Sequence, residues 1–79
     1  MKVFIHSLDK TLFEGEASVA ILPAESGEVS ILNKHIPLVT SLKKGTIRIK
    51  GAEAQIKNIS ILSGFAEINP ERITVLVNQ

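Results

Sequence analysis

The sequence predicts an all-β domain, a sandwich or a barrel, and three observations predict it. Isoleucine and valine together make up 17 of the 79 residues and fall in short runs. Branched Cβ atoms suit a pleated surface. Turn residues interrupt these runs at intervals of about 8–12 residues, the spacing of sandwiches and barrels. Between the runs there is no helical period.

Lys2 to Leu8 reads as the first strand, with Val3 and Ile5 on one face and Phe4 on the other. Asp9-Lys10 is a turn. Leu12 to Glu16 is a short strand or bulged segment containing Gly15. Ser18 to Leu22 follows, Val19 and Ile21 alternating against Ala20. A helix from Glu14 to Leu22 is the competing reading. Gly15, Val19 and Pro23 disfavour it, and no cap precedes it. Pro23 to Gly27 is expected to be a loop, with turn residues at both ends.

Glu28 to Leu32 is a strand with Val29 and Ile31 on one face. After the polar break Asn33-Lys34-His35 comes the apolar Ile36-Pro37-Leu38-Val39. Pro37 has no N–H for a ladder and disfavours helix at Ile36. Proline in a strand-like run belongs at an edge, a strand start or a bulge. Ile36, Pro37 and Leu38 are therefore placed on a rim, near the surface. Leu38 to Leu42 is a strand, and Lys43-Lys44-Gly45 a turn. Thr46 to Lys50 alternates with period two, one face buried and one wet. Gly51-Ala52-Glu53 is a hairpin loop.

From Ala54 to Leu62 the phase slips: Ala54 and Ile56 share one parity, Ile59 and Ile61 the other. A bulge or bend near Asn58 is expected to repair it. Phe65 to Ile68 is short, Asn69-Pro70-Glu71 is a turn, and Arg72 to Val77 closes the fold with Ile73, Val75 and Val77 inward. The whole of 1–79 reads as a single domain.

Composition narrows the function. The formal net charge is +1, with no Trp, no Tyr and three Phe. A nucleic-acid binder would show a dense basic face and stacking aromatics. No apolar run approaches the ~20 residues that cross a bilayer. There is no cysteine, so neither a disulfide nor a thiolate nucleophile is available, and an intracellular home is expected.

Catalytic and metal motifs are sparse. His6 and His35 are the two imidazoles, and neither has a partner at metal-ligand spacing. No cofactor and no metal site is expected. Glu14, Glu16, Glu25 and Glu28 lie in or beside the first loops, where a carboxylate pair could run acid/base chemistry. So small a β domain offers little cleft to desolvate them. Ser63-Gly64 lacks the frame of a nucleophile elbow. Gly64 is expected to allow a positive φ or a close backbone approach. What remains is apolar surface: Ile36, Leu38, and Phe65 or Leu76. A contiguous apolar patch signals a partner.

Phe13-Glu14-Gly15-Glu16, Leu22-Pro23, Gly27-Glu28, His35, Pro37-Leu38, Thr40, Leu42, Gly45, Ile47-Arg48-Ile49, Gly64-Phe65-Ala66-Glu67 and Ile73-Thr74-Val75-Leu76 stand in one register along nearly the whole chain. This ordered set resembles the N-terminal domain of the epsilon subunit of rotary ATP synthase, the delta subunit in mitochondria. Asn33-Lys34 departs from the family's usual Pro-Gly, Lys44 replaces a common proline, and Ser63 a common glycine.

The resemblance implies an antiparallel β-sandwich of about ten short strands. It implies a non-catalytic central-stalk subunit that links gamma to the membrane c-ring and turns with them. Such a subunit couples proton or sodium flow to ATP synthesis on the beta subunits, peripherally, at the cytoplasmic face of the inner (plasma) membrane. By the same resemblance Glu28-Val29 is a turn meeting the polar loops of the ring. His35, Ile36, Pro37, Leu38 and Thr40 belong to a face near gamma and the ring, where Leu38→Asp is expected to weaken gamma binding and leave the fold intact. Family members commonly continue into an inhibitory helical hairpin; this chain stops at Gln79 without one, either as a naturally short member or as a piece of a longer one, and nothing in its residues supports inhibition or nucleotide sensing. The alternative function is a stand-alone β-sandwich module for a peptide or sugar. A small hydrolase using Glu14 or Glu28 is a third.

Overall fold

A computed structural model describes residues 1–32, 37–51 and 55–79. Among them are nine strands and no helix. They are β1 (Lys2–His6), β2 (Thr11–Glu16), β3 (Val19–Ala24), β4 (Gly27–Leu32), β5 (Leu38–Leu42), β6 (Gly45–Lys50), β7 (Ile56–Ile61), β8 (Ser63–Ile68) and β9 (Arg72–Asn78).

The ladder runs β2-β1-β9-β8-β5-β3-β6-β7, with β4 on the other side of β3. It folds into two layers. One is β2-β1-β9-β8-β5, the other β4-β3-β6-β7. A single pair, Ala24 opposite Leu42, joins them at the corner. Every pairing is antiparallel except β1 with β9, which is parallel.

Alternation along each strand sends one set of side chains between the layers. Val3, Ile5, Ile68, Ile73 and Val75 come from the first layer, and Ala20, Leu22, Ile31, Ile47 and Ile49 from the second, none more than 1% exposed. This core is almost wholly branched aliphatic. Such side chains lose little χ1 freedom on burial, which favours one stiff packing over several loose ones.

Pro23 explains the corner. The strand was expected to end before it, yet β3 runs through to Ala24 and the turn is only Glu25-Ser26. The carbonyl of Pro23 accepts the Lys43 N–H at 2.9 Å, on the side of β3 where β6 pairing ends at Ile21 and β5 pairing begins at Ala24. The missing proline N–H falls at this change of partner, so no ladder bond is lost. Gly27 takes φ +132°, which closes the short turn.

The bulge expected near Asn58 is absent. The β6–β7 register is unbroken from Gly45 opposite Ile61 to Lys50 opposite Ile56. The phase slip has another cause: Ile56 faces outward, 67% exposed, while Ile59 and Ile61 face the core. Ala54 lies outside the described residues. The irregularity that does occur is in the β1–β2 register, between Ile5 and His6. There β1 ends two residues sooner than expected, and Leu8 is left fully in solvent.

Candidate functional site

The seven residues singled out from the sequence do not converge on one face. His35 and Ile36 lie outside the described residues. Glu28 and Val29 are inside β4, opposite Pro23 and Leu22, and not in a turn as expected. The turn precedes them, because Gly27 already pairs with Ala24. Glu28 points outward; Val29 is half-buried against the core. Pro37 is exposed just before β5, the strand-start position its missing donor permits.

Leu38 and Thr40 share the inward parity of β5, opposite Ile68 and Ala66, and both are half-buried. Leu38 packs on the core. A carboxylate there would enter apolar surroundings, which corrects the expectation that Leu38→Asp leaves the fold untouched. Val39, between them, points out and is 57% exposed. Sequence reasoning placed Val39 at the end of the apolar run, outside the rim residues; the parity of Leu42, which is fully inward, was the signal that could have found it.

The outer face of the first layer carries an apolar patch. Phe65 and Leu76 are cross-strand partners on β8 and β9, and Ser41 and His6 continue the same row on either side. Phe65, Leu76, His6 and Leu8 line a shallow groove whose other walls include Ser63 and Asn78. The sequence named Phe65 or Leu76; the register brings both together. Along β1 the rings of Phe4 and His6 stack at 6.4 Å, and the Arg72 guanidinium lies 5.8 Å from the Phe4 centroid. His6 Nδ1 is 3.1 Å from Thr11 Oγ1 at the surface. Gly64 makes the close approach anticipated for it: a Cβ there would lie 2.7 Å from the Leu76 carbonyl oxygen.

The second layer presents charge. Arg48 Nη2 donates to Glu28 Oε2 at 3.0 Å, across β3. Together they border a groove with Pro23, Lys43, Gly45 and Asn58. Among the described residues no three of His, Cys, Asp and Glu come together, and no polar or charged side chain is buried.

Known proteins match this architecture. The family model described as ATP synthase, Delta/Epsilon chain, beta-sandwich domain matches residues 1–79. The ATP synthase epsilon chain of Nostoc sp. is 39% identical over 79 residues, covering 99% of this chain and 58% of that one. The chloroplastic ATP synthase epsilon chain of Gracilaria tenuistipitata is 41% identical over 70 residues, covering 89% and 52%. The chain thus spans about half the length of the curated relatives it matches. A chain in the cryo-EM structure of the Euglena gracilis mitochondrial ATP synthase superposes with TM-score 0.90 at 18% identity, covering 98% of this chain and 49% of that one. One in the central stalk and c-ring of the Tetrahymena thermophila enzyme gives 0.82 at 14% identity, covering 99% and 63%. The fold, the full-length match and the identities agree: the chain belongs to the ATP synthase delta/epsilon family and forms its β-sandwich domain.

Proposed function

We propose that this domain acts in the central stalk of an ATP synthase, as a non-catalytic rotor element bridging the gamma subunit and the c-ring. It couples ion translocation to ATP synthesis by transmitting rotation, and performs no reaction itself. The observation that carries this reading is the family match over all 79 residues. The two-layer body supports it mechanically. A single continuous ladder with a close-packed aliphatic core resists shear, which a part that transmits torque requires.

The contact residues we propose are Glu28 and Val29 toward the ring, and His35, Ile36, Pro37, Leu38 and Thr40 toward gamma and the ring. Glu28 and Pro37 touch the partner directly in this reading. Val29, Leu38 and Thr40 hold the strands that present them. No helix among the described residues is long and apolar enough to cross a membrane. We place the domain peripherally, on the cytoplasmic face of the inner (plasma) membrane, through its complex alone.

Affinity capture of the tagged chain from solubilised native membranes tests the proposal. Gamma and ring subunits are expected in stoichiometric amounts. Capture of the chain without them, from membranes that retain an assembled ATP synthase, overturns it.

A further inference from the structure

Two ion pairs occur among the described residues, and Arg48–Glu28 is the one formed by two side chains. Its construction is specific. Glu28 sits on β4 and Arg48 on β6, which flank β3 on opposite sides, so the contact reaches over the intervening strand. Glu28 stands opposite Pro23 and Arg48 opposite Ile21. Both side chains point away from the core, with 60% and 47% of their surface still exposed. At that exposure the pair adds little to folding. The two side chains meet beside a groove lined by Pro23 and Gly45. Arg48 bonds Oε2 alone, and Oε1 takes no partner among the described residues.

We infer that Arg48 is a positioning residue: it fixes the Glu28 carboxylate so that Oε1 meets a hydrogen-bond donor on a polar loop of the partner. This rests on the reading of Glu28 as a ring contact. A lone surface glutamate samples several rotamers and loses that freedom on binding. A cation anchored on a nearby strand restricts those rotamers beforehand. The partner chemistry that fits is an uncharged or weakly polar loop offering donors and acceptors side by side. A strongly acidic loop would be repelled by Glu28, and a strongly basic one by Arg48.

The test is binding of the full chain to a gamma–c-ring subcomplex stripped of it, by titration at two salt concentrations. Glu28→Gln is expected to raise Kd about fivefold. Arg48→Gln is expected to raise it about threefold when Glu28 is present and to change nothing in a Glu28→Ala background, where no side-chain acceptor remains. The thermal midpoint stays level throughout. Arg48→Lys recovers part of the loss. The swapped double variant, Glu28→Arg with Arg48→Glu, keeps its ion pair and its fold and still binds weakly. Equal losses in both backgrounds, no loss for Arg48→Gln, or full binding by the swapped pair would each overturn the positioning role while leaving Glu28 as a contact. An unchanged Kd for Glu28→Gln overturns both.

Discussion

Phe65 and Leu76 face each other across β8 and β9 on the outside of the sandwich, 48% and 57% exposed. On the core side the next pair along is Ala66 opposite Val75, both fully buried. Adjacent rungs of one ladder thus do opposite jobs. Cross-strand apolar pairs contribute roughly 0.2–1 kcal/mol each. Phe65→Thr is expected to cost less than about 1 kcal/mol in urea denaturation. A loss several times larger would mean that Phe65 is part of the core.

Leu38 and Val39 make a sharper comparison, because they are neighbours with opposite parity. Leu38→Asp puts a carboxylate against the core cluster and is expected to destabilise by about 2–4 kcal/mol. Val39→Asp is expected to stay within about 1 kcal/mol of the parent. Denaturant midpoints measured side by side check the pair. The reverse order would mean that β5 is out of register with β8.

Gly64 is a packing constraint. Its Cβ position lies 2.7 Å from a backbone oxygen and 3.3 Å from Val77 Cγ1. Gly64→Ala must therefore push β8 from β9, at a cost of about 1–3 kcal/mol. At Gly27 the obstacle is different, since nothing lies within 4 Å of a Cβ there but φ is +132°. Gly27→Ala is expected to cost about 1–2 kcal/mol through backbone strain alone. Thermal melts of the two variants check both values.

Ile47 is fully buried on the central β6 strand. Ile47→Val is expected to cost about 0.5–1.5 kcal/mol and Ile47→Ala about 2–5 kcal/mol. A variant that melts broadly, without a cooperative transition, would show that the branched core also maintains a unique packing.

Much of this fold was legible because period-two alternation is strong where one face is buried and the other wet. Val3 and Ile5, Ile47 and Ile49, and Ile73, Val75 and Val77 all fall on the core side their spacing assigns. The alternation misled where an apolar residue sits outside. Ile56 carries the same side chain as Ile59 and Ile61, so its outward parity looked like a slipped strand. Pro23 misled for another reason. Pro23 is tolerated within β3 because the ladder changes partners there, and the sequence does not display that change. The ion pair between Glu28 and Arg48 was beyond sequence reading too, since it depends on β4 and β6 both flanking β3. The candidate contact residues were chosen by resemblance, and the pleat then sorted them: Glu28 outward, Val29, Leu38 and Thr40 turned toward the interior.

The parallel ladder between β1 and β9 sets a timetable for biosynthesis. Lys2 to His6 find their partners in Arg72 to Leu76, so the ribosome must deliver almost the whole domain before that seam can close. The hairpins β3–β4 and β6–β7 need only nearby chain and can zip up during synthesis. Closing so long a loop costs entropy before any contact repays it, which makes this seam a slow step in maturation. Until then β1 offers an unpaired edge on the side β9 will occupy, and a nascent chain is most exposed to aggregation in that interval.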